Sequence, residues 1–365
     1  MGHPDPVAPH LAQGLAPWNA DEDDILVCRQ VRAETADVKS FIFAARTPRL
    51  FHYRPGQFLT FDFEIGGETV NRCYTISSAP TRPHLVSITV KRVPGGPVSN
   101  WLHDHMAPGR EIRATGPMGE FSTSTHPAPK YLFLSGGSGI TPLMSMARSH
   151  HDLALPVDIT FVHSARSPAD IIFRDELDLM GRNLPGFRAI SICEADSPGE
   201  RWGGFRGRLS LDALSVIAPD FRTREIFTCG PAPYMAAVRG ILGQAGFDMD
   251  RYHEESFDFG TLTGAEDTAT AVAVAAPGLS YRVEFTKSRR VIDCPADKHI
   301  LDAAREAGMR LPSSCTKGLC GTCKSKIVSG KVEMKHAGGI RQREIDMGLA
   351  LICCSKPLGD LVIER

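Results

Sequence analysis

Ser313 to Cys323 reads SSCTKGLCGTC, and Cys353 follows after a further 29 residues. The C-x4-C-x2-C spacing of Cys315, Cys320 and Cys323, with Cys353 downstream, is that of plant-type [2Fe-2S] ligation, in which four thiolates hold two irons and one tight loop supplies three of them. Gly318, Gly321, Ser313 and Ser314 leave room for backbone N–H groups to approach the cluster sulfides, where they stabilise the reduced, more negative state. A four-cysteine zinc site is the alternative. Such sites usually use two separated CxxC pairs rather than three cysteines crowded into nine residues. Cys354 stands beside Cys353, so the fourth ligand stays open between them; spacing favours Cys353, and strand alternation would turn Cys354 to the other face as a packed neighbour.

Around this loop, Ile300, Ala304, Ala307 and Leu311 repeat at helical spacing in HILDAAREAGMRLP, and KSKIVSGKVEM reads as a hairpin. These surroundings resemble the α+β, β-grasp ferredoxin fold, here expected over residues 279–365. Residues 258–278, DFGTLTGAEDTATAVAVAAPG, hold few large side chains and read as a linker.

The rest of the chain is too long for one core: 365 residues call for two or three domains. With 42% apolar residues, 23% charged residues and a net charge of -1, the composition is that of a folded globular protein with no basic excess for nucleic acid. No apolar run reaches membrane-span length, and the N-terminus lacks a basic region followed by an apolar stretch, so no membrane association and a cytoplasmic location are expected. Of the ten cysteines, five fall in the last 51 residues, a clustering that favours metal or redox chemistry over a disulfide framework.

Residues 1–21 read as a flexible tail. From 22 to 125 come short β-type runs (ILVCRQV, SFIFAA, FLTFDFEI, LVSITVKRV, EIRATG) with one short helix around SNWLHDHM, the pattern of an antiparallel barrel or sandwich. Between 126 and 257, apolar runs (YLFLS, VDITFVHS, FRAISIC, EIFTCG) alternate with helix-like stretches, the α/β pattern of a parallel sheet with crossover helices.

Within the first region NRCYTISSAP holds Arg72, Tyr74, Thr75, Ser77 and Ser78; alone it is a strand with polar residues on one face. VKRVPGGPVSNWL adds Lys91, Gly96, Val98 and Ser99 at a turn leading into a helix. In the second region LSGGSGITPLMSM runs from a strand through Gly136, Gly137 and Gly139 to Thr141 and Pro142 at a helix start. It matches neither GxGxxG nor a P-loop, but the strand–glycine–helix order makes a dinucleotide platform. TCGPAPYM brings Cys229, Gly230 and Pro231 to a strand end, where the bland reading of Cys229 is a buried core thiol. HEESF then closes the domain, with Glu254 and His253 read as surface residues. Arg166 in HSARSPAD is the base that could meet a ribose 2′-phosphate, or equally a solvated loop arginine.

In this order the motifs resemble ferredoxin-reductase-type flavoproteins with a C-terminal plant-type [2Fe-2S] domain, the reductases that serve Rieske-type non-haem iron oxygenases. The resemblance covers roughly residues 22–365. It implies an FAD-binding barrel closed by GPMGEF (116–121), with Arg72 on the flavin phosphates, Tyr74 on the isoalloxazine ring, Thr75 near flavin N5, and the turn from Lys91 to Ser99 on the pyrophosphate. It implies an NAD(P)-binding domain in which Cys229 lies beside the nicotinamide carbon and Glu255, Ser256 and Phe257 border the flavin and nicotinamide. The implied activity is electron transfer from NADH or NADPH through FAD and [2Fe-2S] to an oxygenase component. LVCRQVRAETADVKSF, RCYTISS and YHEESF are similar to reductases of quaternary-ammonium demethylases, such as those acting on glycine betaine or stachydrine. A reductase of a hybrid-cluster protein, similar in domain order and in CGPAPYM, is the rival; a redox sensor would need a signalling module that the sequence lacks.

Overall fold

In the N-terminal strands, alternation decides which face is inside. Strand β1 (Ile25–Thr35) buries Leu26 and Cys28 and exposes Arg29 and Gln30. It joins β2 (Val38–Ala45), β3 (Phe58–Ile65), β4 (Glu68–Thr75), β5 (Val86–Lys91) and β6 (Glu111–Met118) in an antiparallel sheet of order β4-β3-β6-β1-β2-β5. Just beyond β4, Ile76 bridges to Ile88 on β5, which brings the two edge strands together and closes the sheet on itself. Phe41, Phe43, Phe61, Phe63 and Ile88 fill the interior, and α1 (Pro97–His105) packs Val98 and Leu102 into it.

The next strand, β7 (Lys130–Gly136), is buried along all but its first residue, as expected of a strand covered on both faces. Phe133 joins one core with Phe161 and Phe227, while Leu132 and Leu134 join another with Val162 and Ile226. The strands β8 (Asp158–Ala165), β9 (Phe187–Cys193), β10 (Phe205–Arg206), β11 (Glu225–Gly230) and β12 (Tyr252–Ser256) complete a six-stranded parallel sheet of order β10-β9-β8-β7-β11-β12. Helices α2 (Ile140–Asp152), α3 (Arg174–Asn183), α4 (Leu211–Ile217) and α5 (Ala232–Gln244) are its crossovers. The chain steps outward from β7 to β10 and returns to β11 on the other side of β7. Strand order therefore reverses between β7 and β11, and the carboxyl ends of these two strands form the crevice where open α/β sheets take ligands.

The C-terminal unit contains β13 (Ser280–Phe285), β14 (Arg290–Pro295), α5's successor α6 (Ile300–Glu306), β15 (Lys324–Ser329), β16 (Val332–Met334), α7 (Gln342–Asp346), β17 (Leu349–Leu351), β18 (Ser355–Pro357) and β19 (Leu361–Glu364). Its main sheet has the order β14-β13-β19-β15-β17, with β13 and β19 parallel and Ile300, Leu301 and Ala304 of α6 in the same core as the sheet's Val283 and Phe285. Two expectations change here. KSKIVSGKVEM is not a hairpin: β15 pairs with β17 and β19, and β16 pairs with β18. Gly330, at φ +94°, turns the chain between them against the Asp360 backbone, where a Cβ would stand 2.3 Å from the Asp360 carbonyl oxygen. The helix also ends before Ala307 and Leu311 can continue it. Gly308 adopts φ +75°, and the Met309 and Gly308 N–H groups close on the Ala304 and Arg305 carbonyls, each at 2.9 Å.

This computed structural model describes residues 14–20, 22–256, 279–311, 313, 316, 318, 323–336, 340 and 342–365, the side chains of 68, 69, 71, 256 and 343 excepted. The chain divides into two units, Met1–Phe257 and Asp258–Arg365. Among the described residues no helix is long and apolar enough to cross a membrane.

Candidate active site

The structure brings the two glycine-bearing motifs into backbone contact at the strand-order reversal. Cys229 on β11 pairs with Ser135 on β7, one residue before the glycine loop. A Cβ on Gly139 would stand 2.3 Å from the Cys229 carbonyl oxygen, and one on Gly230 would stand 2.8 Å from the Tyr234 ring. Gly136 also faces that ring, at 3.0 Å from where its Cβ would be. Gly137, by contrast, has φ +52° and open space beside it. Glycines thus serve two ends here: three allow close packing, and the fourth leaves backbone uncovered at the start of α2. Thr141 and Pro142 lie buried in the first turn of that helix, with the Thr141 hydroxyl donating to the Ser138 carbonyl at 3.2 Å. Pro231 caps α5.

Cys229 is fully buried, and its β12 neighbour in register is Glu255. Burial first, then the Glu255 charge, pushes the Cys229 thiol well above its usual range, so it is a thiol at neutral pH. Register continues the row across the sheet from Ser135 to His163 on β8. Their side chains bond at 2.8 Å between Ser135 Oγ and His163 Nδ1, and burial pulls His163 down to about 4. Sequence reasoning missed this pair. The polar residues end the apolar runs YLFLS and ITFVHS, and only the parallel register reveals that they share a face with Cys229.

On the barrel, Tyr74 packs against Phe61 and Phe63 at ring distances of 6.2 and 6.4 Å, and burial raises its phenol. Arg72 lies two residues earlier on β4, half-buried. Thr75 is buried, and its Oγ1 has no hydrogen-bond partner among the described residues. A buried orphan hydroxyl is costly unless a ligand completes it. Ser77 instead points inward, its hydroxyl shared with Ser87 and Thr89 at 3.0 and 2.9 Å. Val98 and Ser99 are also turned inward. Ser99 Oγ accepts from the Val93 N–H at 3.1 Å, so the α1 turn can offer a phosphate backbone N–H groups rather than these side chains. Gly96 caps the helix where a Cβ would meet Ser99 Oγ at 2.8 Å.

Lys91 and Arg166 converge on one carboxylate, Asp37, at 3.0 and 3.2 Å, and Arg166 also reaches Asp170 at 3.0 Å. Partial burial opposes the Asp37 charge, but the bond and field of Lys91, with Arg166, outweigh it and hold the carboxyl below its usual value. The barrel and parallel sheet are further joined by Arg148. This buried guanidinium donates to the Ser77 carbonyl at 2.5 Å and is clamped by Glu176 at 2.7 and 2.6 Å. His253, expected at the surface, is buried instead, because it stacks on His126 and bonds Glu225.

In the second unit Cys323 and Cys353 are buried in the same core. Cys353 and Cys354 lie in the turn between β17 and β18, so strand alternation does not separate them. The two thiols hydrogen-bond to each other, and Cys354 Sγ also reaches the Leu351 carbonyl at 3.5 Å. Cys315, Cys320 and Phe257 lie outside the described residues, as does the side chain of Ser256.

Residues 27–123 match the oxidoreductase FAD-binding domain family, 133–240 the oxidoreductase NAD-binding domain family, and 283–358 the 2Fe-2S iron-sulfur cluster binding domain family. The glycine betaine monooxygenase reductase subunit of Pseudomonas aeruginosa (strain UCBPP-PA14) is 48% identical over 92% of this chain and 94% of its own length. The chain belongs to the oxygenase-reductase family of FAD-, NAD- and [2Fe-2S]-binding oxidoreductases. The stachydrine N-demethylase reductase subunit of Rhizobium meliloti (strain 1021) is 40% identical over 96% of this chain and 98% of its own. Among solved structures, phthalate dioxygenase reductase aligns with a TM-score of 0.58 at 25% identity, over 95% of this chain and all of that one.

The residues fit the groups this oxygenase-reductase family binds. Thr75 offers a buried hydroxyl in need of a partner, the glycines leave a cradle at the sheet's switch point, and thiols suit an iron–sulfur cluster.

Proposed function

We propose that this reductase supplies electrons from NADH or NADPH to a Rieske-type oxygenase component that demethylates a quaternary ammonium compound such as glycine betaine. Identity of 48% along nearly the whole of both chains to a glycine betaine monooxygenase reductase subunit is the observation that carries this reading. The stachydrine demethylase reductase, also a quaternary-ammonium system by name, supports the same substrate class.

When bound, the nicotinamide would supply hydride, the flavin the exchange between two-electron and one-electron chemistry, and the cluster single-electron transfer. The protein's part is positioning. Thr75, with its free hydroxyl, would hold the flavin at N5; Tyr74 would pack on the ring; Arg72 and the backbone of the α1 turn would neutralise the phosphates. Gly137 and the start of α2 would take the nicotinamide nucleotide's phosphates, while Gly139, Gly230 and Pro231 bring Cys229 and Glu255 to the reacting ring. Cys229, kept as a thiol, excludes water there without adding charge. Phe257 would border the same ring. In the second unit Cys315, Cys320, Cys323 and Cys353 would hold the cluster, leaving Cys354 as a packed neighbour. Plant-type clusters lie near about -400 mV and Rieske centres at about -150 mV or above, so transfer to such a partner is downhill.

The test is reconstitution of the purified reductase with the oxygenase component of a glycine betaine monooxygenase. NADH- or NADPH-dependent release of formaldehyde from glycine betaine is expected. Reduction of the oxygenase without demethylation of any quaternary ammonium compound would rule out the substrate class, and failure to reduce the oxygenase would rule out the partner.

A further inference from the structure

A second cluster of metal-ligating side chains lies at the opposite end of the parallel sheet from the glycine loops. His126 belongs to the connector between barrel and sheet, Glu225 opens β11, and His253 sits on β12 in register with Phe227. One donor atom from each of the three lies within 4.8 Å of the others. The imidazoles of His126 and His253 stack with centroids 3.7 Å apart at 26°, and His253 Nε2 meets Glu225 Oε1 at 2.6 Å.

Their surroundings hold these groups in place. The Phe227 ring lies 4.8 Å from the His253 ring and 6.1 Å from that of His126. Arg251 Nε engages the other Glu225 oxygen at 3.3 Å, which fixes the carboxylate plane as outer partners of metal ligands do. The connector is tied down next to His126, whose carbonyl accepts from the Tyr131 hydroxyl at 3.2 Å. His126 and Glu225 are each only partly buried, so the group can be reached from solvent.

We propose that His126, Glu225 and His253 form a binding site for a divalent first-row transition ion, zinc in particular. Two imidazoles and one carboxylate are the donor set of three-ligand zinc sites, with a fourth position left to water. Hard ions such as magnesium and calcium prefer all-oxygen cages and are disfavoured here. Zinc bonds of about 2.0–2.1 Å place ligand atoms roughly 3.3 Å apart in a tetrahedron, so donors within 4.8 Å must close in, and the His126 ring must turn out of its stack on His253 to aim its lone pair at the ion. Binding takes the place of the proton between His253 and Glu225; a neutral His253 regains that proton at Nδ1, a charged one gives it to solvent, and no electron moves. The ion joins the connector to the β11–β12 edge. Glu225 and Cys229 are four residues apart on β11, about 13 Å at strand rise, which keeps the ion clear of the nicotinamide end.

The experiment uses the flavin- and cluster-loaded protein, stripped of adventitious metal, titrated with zinc against a chromophoric chelator. One zinc per chain is expected at micromolar affinity or tighter, with a rise in unfolding temperature of about 3 °C or more. H126A, at a partly buried position, and E225Q should each weaken zinc at least tenfold while keeping the flavin and cluster spectra. NADH:ferricyanide activity should change less than twofold on zinc binding. Absence of zinc uptake by the wild type up to 100 µM would overturn the proposal. So would equal uptake by both variants, which would place the ion on cysteines instead.

Discussion

Gly139 and Cys229 meet backbone to backbone: the position of a Cβ on Gly139 lies 2.3 Å from the Cys229 carbonyl oxygen and 2.5 Å from the Gly230 nitrogen. No rotamer relieves such a contact, because the colliding atoms are main chain. Gly139→Ala must therefore push the start of α2 away from the end of β11. The barrel strand bearing Thr75 is a separate element. The variant is expected to retain flavin while its reduction by NADH slows at least tenfold, equivalent to about 1.4 kcal/mol of lost transition-state stabilisation. Stopped-flow bleaching of the flavin checks this, and an unchanged rate would dissociate the glycine contact from nicotinamide placement.

Burial of His163 makes stability depend on pH. His163 titrates near 6.5 when unfolded and about 4 when buried, so the folded protein stays unprotonated while the unfolded chain takes up a proton. Its contribution is present above pH 6.5, declines as pH falls, and is fully lost below about 4. The shift is worth roughly 3 kcal/mol. His163→Gln should lower stability at pH 7 yet flatten the loss between pH 7 and 5. Urea midpoints of both proteins at the two pH values test it; parallel declines would show that other groups carry the acid sensitivity.

What the sequence made legible follows from how local each signal is. Strands such as FLTFDFEI and YLFLS, the glycine loop and the cysteine spacing are encoded within about ten residues, and the fold classes follow from them. Partners set by register across strands were not readable. Ser135 with His163 and Cys229 with Glu255 depend on which strands the sheet makes neighbours. The buried Arg148, which reaches Ser77 from 71 residues away, looks like an ordinary charge on an amphipathic helix until α2 docks on the barrel. The seven-residue helix α4, capped by Ser210, escaped because it carries only two buried side chains. KSKIVSGKVEM misled for a related reason. The turn at Gly330 is genuine, but the strands on its two sides pair with β17 and β19 and with β18, which lie farther along the chain.

Lys91 and Arg166 share Asp37, so the base offered to a ribose 2′-phosphate is already paired. A 2′-phosphate arriving there would meet the Asp37 and Asp170 carboxylates as well as the guanidinium. NADH is thus the expected donor. Asp37→Ala should relieve Arg166 of one of its two carboxylates, leaving Asp170, and raise the NADPH-to-NADH ratio of kcat/KM by about tenfold at low ionic strength, with the gain shrinking as salt rises. Steady-state rates with both nucleotides provide the check. A ratio that stays fixed would mean Arg166 does not face the ribose.

Cys353 and Cys354 are adjacent, buried thiols that hydrogen-bond to each other, and Cys354 Sγ also reaches the Leu351 carbonyl at 3.5 Å, a bond that a metal-bound thiolate has no proton to make. Cys354→Ser can keep that bond through its hydroxyl, so it should retain about two irons and two sulfides per chain and the cluster's visible absorbance. Cys353→Ser replaces a soft thiolate with a poor ligand. It should lose cluster absorbance and most of the iron while the FAD-binding barrel keeps its flavin. Iron, acid-labile sulfide and flavin assays on the two purified variants decide between them. If Cys354→Ser is the one that empties the site, the register of the turn after β17 is shifted by one residue and Cys354 is the fourth ligand.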